Sequence, residues 1–159
     1  IKADFWRCCV LYKYGGFYSD IDVKPLVNLL SLVHFDAYFL TIRSYCGYNL
    51  NPEIIYCKKN CNLLKKCIDV YLTYMKKNKE YSYWGWSITM ILYQILNNEV
   101  IGNIGSSKNN IYYDNNNNKY QLLNEIVDKN NIYNDMVVDE NDKIVLYNRY
   151  PDYVEHRFN

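Results

Sequence analysis

Apolar positions along the chain follow two different spacings, one typical of helices and one typical of strands. Helical spacing predicts amphipathic helices over residues 3–14, about 60–77, and 87–98, with a shorter one at 26–33. The second helix is expected to be capped by Asn60 or Asn62 and to place Leu72 and Met75 on its inner face. Alternating or short apolar runs predict strands at 17–23, 37–42, 53–57, 111–113, 132–133, 136–138 and 144–147. This order of elements favours a mixed α/β fold over a helical bundle or a β-sandwich.

Glycine and proline mark the boundaries of the first elements. Gly15 and Gly16 are expected to end the first helix, because glycine accepts the left-handed backbone that a helix C-terminus often needs. Lys24-Pro25 is expected to end the strand that follows, since proline cannot donate to a sheet ladder. Farther along, Asn141-Asp142 predicts a hairpin turn between the last two strands.

Length and charge restrict the class of protein. The 159 residues fit one domain, and the net charge of +1 lacks the strongly basic character that nucleic-acid binding requires. No apolar run approaches the ~20 residues of a membrane-spanning helix. We therefore expect no nucleic-acid partner and no membrane span within this chain.

The six cysteines do not form a recognisable metal-binding pattern. They include no Cys-x-x-Cys pair, and the chain has only two histidines. A structural zinc site usually shows two close pairs of ligands, so zinc is not expected. Most of the cysteines are predicted to be buried free thiols, with one or two disulfides as the alternative.

The segment Asp20-Ile21-Asp22 carries the chemistry that the sequence predicts best. In a strand, residues i and i+2 face the same side, so both carboxylates would share one face while Ile21 entered the core. Two such charges repel unless a cation or a proton intervenes. A divalent ion such as Mg²⁺ takes one or two carboxylates and completes its shell with water and phosphate oxygens. The alternative is a solvated strand end or turn.

A second polar pair lies in the preceding helix. Asp4 and Arg7 are i, i+3 neighbours on one helix face. They form either a surface ion pair or a polar clamp that opens onto the same cleft as Asp20 and Asp22. Spacing alone does not separate these two readings.

The combined pattern resembles the sugar-binding region of glycosyltransferase family 32. It reads Ala3-Asp4-x-x-Arg7, then Leu11-Tyr12-x-Tyr14-Gly15-Gly16-x-Tyr18-x-Asp20-x-Asp22. The specific match covers residues 3–23, and beyond it the resemblance is looser. Gly85-Trp86, for example, stands where many members have Gly-Pro. The resemblance implies a GT-A-like α/β glycosyltransferase fold that is N-terminally incomplete here. Residues 1–159 would be a single catalytic-domain fragment that bears the Asp-x-Asp, with upstream nucleotide-binding strands missing.

The resemblance also implies a reaction. It implies transfer of a hexose, with mannose as one candidate, from a GDP- or UDP-hexose donor to a glycan, lipid or protein acceptor with retention of configuration. Mn²⁺ or Mg²⁺ would assist as a Lewis acid. Asp20 and Asp22 would be the catalytic and metal-holding residues. Asp22 would be the direct ligand, while Asp20 would also contact the sugar or ribose.

Five further residues acquire substrate-binding roles by the same resemblance. Asp4 and Arg7 would contact the donor sugar. Gly15 and Gly16 would permit close backbone approach, and Tyr18 would line the start of the strand.

The sequence leaves other interpretations of its function open. The chain could be a non-catalytic relative that binds carbohydrate or nucleotide-sugar, or a metal-dependent phosphohydrolase. Trp84 and Trp86 could stack on a sugar or fill the core. Arg149 and His156 are weaker candidates for a phosphate contact and a metal ligand. The location is also open between a membrane anchor in a missing N-terminus, in the Golgi or endoplasmic reticulum, and the cytoplasm.

Overall fold

The computed structural model describes residues 2–77, 80, 82–105, 109–127 and 135–148. In this part of the chain the helices are α1 (Lys2–Tyr14), α2 (Asn62–Lys76), α3 (Tyr83–Trp86) and α4 (Ile88–Glu99), with one 3₁₀ turn (Leu29–Leu32). The strands are β1 (Gly16–Ser19), β2 (Lys24–Pro25), β3 (Ala37–Arg43), β4 (Leu50–Cys57), β5 (Ile111–Tyr113), β6 (Lys119–Val127), β7 (Asp135–Val138) and β8 (Ile144–Tyr147). The expected mixed α/β fold is confirmed.

All the described strands belong to one curled sheet. Its order is β1-β4-β3-β6-β7-β8-β2, and β5 pairs with β6. The two outer strands, β1 and β2, are joined in the chain by residues 20–23 alone. Such a connection reaches about 18 Å at most, whereas six strand spacings in a flat sheet would separate the edges by roughly 29 Å. The sheet must therefore curl, and residues 20–23 connect its two edges.

Hydrophobic clusters cover both faces of the sheet. The larger cluster packs residues of α1, α2 and α4 against the sheet, among them Leu11, Leu64, Leu92, Phe39 and Leu122. The smaller cluster occupies the other face and includes Leu40, Ile42, Ile54, Leu123 and Val145. Because β3 and β6 contribute to both clusters, they form the buried centre of the sheet.

The structure shortens the strand predicted over residues 17–23. β1 ends at Ser19, residues 21 and 22 form a turn, and Ile21 is 83% exposed instead of buried. The prediction that Ile21 enters the core is therefore wrong. The reason is topological, because the chain must leave β1 and cross to the far edge, where Lys24 and Pro25 pair with β8. A proline fits there since β2 is an edge strand.

The long helices lie where the sequence predicts them, but the cap of α2 and two residues of its inner face differ from the prediction. The structure confirms helices near 3–14, 60–77 and 87–98, while 26–33 contains only the 3₁₀ turn. α2 is preceded by Cys61, which makes no side-chain cap, instead of the expected capping asparagine. Leu72 and Met75, expected on the inner face of α2, are 40% and 45% exposed. Within the described residues, no helix is long and apolar enough to cross a membrane.

One central strand, β6, is not predicted by the pattern of apolar and polar positions. β6 lies parallel to β3 and antiparallel to β7. Its segment 120–123 is buried without interruption, so it shows no alternation of polar and apolar positions. The other strand predictions hold, including the hairpin turn, where Asp142 has φ 59°. The strand predicted at 132–133 lies outside the described residues.

The cysteines are free thiols in the structure. Cys8, Cys57, Cys61 and Cys67 are buried, Cys9 is half-buried and Cys46 is exposed. The expectation of mainly buried free thiols is confirmed.

Candidate active site

The Asp20-Ile21-Asp22 turn is anchored to β4. β1 pairs antiparallel with β4 up to Ser19, which lies opposite Ile54. The backbone N–H of Asp20 then donates to the carbonyl oxygen of Glu53 at 2.8 Å. The first aspartate thus continues the ladder, and the chain turns away only after it.

Arg7 links the first helix to this turn. Its guanidinium group lies 3.2 Å from Asp4 Oδ1 and 3.5 Å from Asp20 Oδ1. It also donates from Nη1 to the carbonyl oxygen of Pro52 at 3.1 Å. The arginine is 8% exposed. Of the two sequence readings for Asp4 and Arg7, the structure therefore rejects the isolated surface pair.

Tyr18 completes this side of the turn. The guanidinium carbon of Arg7 lies 4.3 Å from the centre of the Tyr18 ring, a cation–π contact. The Tyr18 hydroxyl donates to Asp20 Oδ1. Burial, and then this hydrogen bond to Asp20, raise the pKa of Tyr18 to about 12. The phenol therefore remains a protonated donor at neutral pH.

Asp22 occupies a different environment. It is half-buried in the turn. Among the described residues, no side chain forms an ion pair or a hydrogen bond with its carboxylate. The flanking Ile21 points into solvent. Asp22 thus lacks the side-chain contacts that hold Asp20.

Glu53 is a residue of this site that the sequence reasoning missed. Its Oε2 is buried and has no hydrogen-bond partner. Burial raises the pKa of Glu53 to about 7, and the charges of Glu125, Asp22 and Asp20 add to that rise, while a hydrogen bond with Asn51 opposes it. The signal available in the sequence was a glutamate at the first position of the otherwise apolar strand predicted over residues 53–57.

The two glycines differ in what surrounds them. A Cβ at Gly15, whose φ is +70°, would lie 2.6 Å from the backbone nitrogen of Lys59. A Cβ at Gly16, whose φ is +98°, would meet nothing within 4 Å. The close approach at Gly15 is therefore to the chain's own backbone.

The remaining candidates lie elsewhere or outside the described residues. Trp86 is 8% exposed and belongs to the core. Trp84 is 63% exposed and lines a cleft of about 370 Å³ together with Tyr74. Arg149 and His156 lie outside the described part of the chain.

The carboxylates of the turn suit a hard divalent cation. Mg²⁺ and Mn²⁺ prefer oxygen ligands and often use only one or two carboxylates, with water and phosphate as the rest. In the described residues, no three metal-ligating side chains are assembled into a complete site. The donor set fits an ion that shares its shell with water and substrate phosphate, and Glu53, whose backbone carbonyl accepts the Asp20 N–H, has an unpartnered side-chain oxygen.

Comparisons with known proteins bear on the motif and on the fold. Residues 1–39 match the model of the family described as the glycosyltransferase sugar-binding region containing the DXD motif. A 53-residue stretch is 38% identical to the initiation-specific α-1,6-mannosyltransferase of Schizosaccharomyces pombe, covering 33% of this chain and 13% of that protein. The fold resembles that of PaToxG glycosyltransferase, with a TM-score of 0.53, 22% identity, and coverage of 60% of this chain and 33% of that one.

The chain spans only a small part of the length of the mannosyltransferase and a third of PaToxG. The structural likeness establishes the fold, and the family match establishes the motif. The resemblance predicted from Asp4, Arg7, Asp20 and Asp22 is confirmed: residues 1–39 match the DXD-containing sugar-binding region of glycosyltransferases, and the fold is GT-A-like α/β.

Proposed function

We propose that this chain is the DXD-bearing part of a metal-dependent glycosyltransferase that uses a nucleotide-sugar donor. The observation that carries the proposal is the bridge made by Arg7. This one guanidinium contacts Asp4 on the helix and Asp20 at the turn. Positions of the matched region that are distant in sequence thus meet in one cluster.

Asp22 is proposed as the direct metal ligand, with Asp20 as its partner. When bound, a divalent ion would neutralise the diphosphate of the donor and stabilise the departing nucleoside diphosphate. Asp20 is held by its backbone bond to Glu53 and by Tyr18 and Arg7. This anchoring supplies the preorganisation that electrostatic catalysis needs, because the group does not have to reorient during reaction.

Asp4 and Arg7 are proposed to face the donor sugar. Asp4 can accept hydrogen bonds from sugar hydroxyls, and Arg7 fixes its position through their ion pair. Tyr18 contacts both Arg7 and Asp20 and so supports the position of both side chains. Gly16 leaves open space at the start of β1 that a ligand could approach.

The finer features of the reaction follow from the resemblance and remain part of the proposal. They are a GDP- or UDP-hexose donor, a glycan, lipid or protein acceptor, and retention of configuration. Mannose is favoured as the sugar by the partial match to the yeast mannosyltransferase. The single-fragment organisation of residues 1–159 belongs to the proposal as well.

The test is turnover of a panel of GDP- and UDP-hexoses by the full-length protein, with Mn²⁺ or with chelator. We expect chelator to abolish turnover and Asp22→Asn to lower it by more than ~10²–10³-fold, since it removes a preorganised contact together with the ion. Asp142→Asn is the matched control, an aspartate in an exposed turn far along the chain, and should retain parental turnover. Chelator-resistant turnover in Asp22→Asn, or no turnover of any donor by the well-folded parent, would overturn the proposal.

A further inference from the structure

We propose that Glu53 is a positioning residue of the cation site, whose carboxylate accepts hydrogen bonds from water molecules bound to the divalent ion. The inference rests on the proposed function, because it assumes an ion at the Asp20-Ile21-Asp22 turn. It assigns a role to a residue outside the matched residues 1–39.

The backbone fixes Glu53 beside the turn. Its carbonyl oxygen accepts the N–H of Asp20 at 2.8 Å. The preceding carbonyl, of Pro52, accepts from Arg7 at 3.1 Å. Both bonds join β4 to residues of the proposed site and so hold this part of β4 beside the turn.

The side chain of Glu53 has one oxygen in need of a partner. Oε2 is buried and makes no hydrogen bond, and the backbone N–H of Glu53 donates to Asn51 Oδ1 at 3.2 Å. Asn51 in turn donates to Glu125 Oε1 at 3.1 Å, so its orientation is set from the other side. A buried acceptor without a partner destabilises the fold, and more so when it is charged. A ligand that donates to Oε2 would remove this cost.

The surrounding charges indicate what that ligand is. Asp20, Asp22 and Glu125 all lie close enough to act electrostatically on Glu53. A neutral sugar hydroxyl would satisfy the oxygen but leave the repulsion among these carboxylates. A hydrated cation answers both needs, because its charge offsets theirs and its water molecules donate hydrogen bonds.

The contact is assigned through water and not as direct ligation. The described residues contain no group of three side chains placed to hold one ion together. Mg²⁺ and related ions dehydrate reluctantly and keep several water molecules in protein sites. Carboxylates that orient such outer ligands commonly contribute 10–100-fold to metal affinity.

The experiment measures Mn²⁺ affinity by electron paramagnetic resonance on the full-length protein, without donor or acceptor. We expect Glu53→Gln to weaken Mn²⁺ binding ~10–100-fold, and Glu53→Asp, which keeps the charge, to recover part of the loss. Glu140→Gln, at an exposed turn, is the matched control and should bind as the parent does. Thermal unfolding of each variant separates loss of the ion from loss of the fold, which a purely structural role would change together.

Two results would count against the account, and they differ. Parental affinity in Glu53→Gln, with weak binding in Asp22→Asn, would overturn the role of Glu53 and leave the proposed metal site intact. Equal affinity in the parent and Asp22→Asn would instead overturn the metal site itself, and the role of Glu53 with it.

Discussion

The two sides of the Asp20-Ile21-Asp22 turn differ in how completely their carboxylates are satisfied, although Arg7 Nε on the first side is also buried without a hydrogen bond. On one side, Asp20 is tied to Arg7, to the Tyr18 hydroxyl and to the backbone of β4. On the other side, Asp22 has no such partner within the described residues, and Glu53 buries a carboxylate oxygen without one. Most buried polar groups in proteins are hydrogen-bonded. We therefore interpret the first side as a scaffold side and the second as the ligand side, which contacts a bound ligand.

This comparison predicts that the two sides respond differently to substitution. Arg7→Ala should cost about 1.5–3 kcal/mol of unfolding free energy, because it removes a buried guanidinium that pairs with the partly exposed Asp4 and Asp20. Asp22→Ala should change stability by less than ~0.5 kcal/mol in the absence of divalent ions, as expected for a position that makes no such contact. Denaturant unfolding of both variants measures the difference. Equal losses would remove the distinction between scaffold and ligand side.

A second effect is expected from pH. The pKa of Glu53 is about 7 in the fold, above its ordinary value of 4.5. Between these values the folded state holds a proton that the unfolded chain has released, so stability should fall as pH rises from about 4.5 to 7 and stay lower above that. Removing the charge with Glu53→Gln should flatten this decline. The check is urea unfolding of the parent and the variant at several pH values without divalent ions; an unchanged slope in Glu53→Gln would refute the assignment.

The smallest predicted difference lies between the two glycines. Gly15→Ala should destabilise more than Gly16→Ala, by about 1 kcal/mol or more, because both have positive φ but only Gly15 faces the backbone at Lys59. Thermal unfolding tests the order. A larger loss at Gly16 would show that the space beside it is less open than the geometry indicates.

The part of the site that the sequence predicts is the part encoded locally. Asp4 and Arg7 share a helix face by spacing alone, and the glycine pair ends that helix as expected. Whether the pair lay at the surface or in a cleft depended on Asp20, which meets Arg7 only after β1 has folded back. Spacing within one helix contains no information about that contact.

The missed features depend on pairing between distant segments. Glu53 reaches the turn because β4 pairs with β1, although more than thirty positions separate it from Asp20. Ile21 alternates with two aspartates and so resembles a strand position, but the crossing to β8 requires a turn there. The pattern of apolar and polar positions does not predict β6, because burial on both faces removes the alternation that marks a half-exposed strand.

The central claim is that the ligand side of the turn binds the divalent cation that accompanies the diphosphate of a nucleotide-sugar. Anomalous diffraction from crystals of the full-length protein soaked with Mn²⁺ and a nucleoside diphosphate tests it most directly. The account predicts one Mn²⁺ peak at the carboxylate of Asp22, with ion-bound water between it and Glu53 and with Arg7 still paired to Asp4. An ordered diphosphate whose Mn²⁺ lies away from Asp22, or no Mn²⁺ peak beside it, would contradict the account.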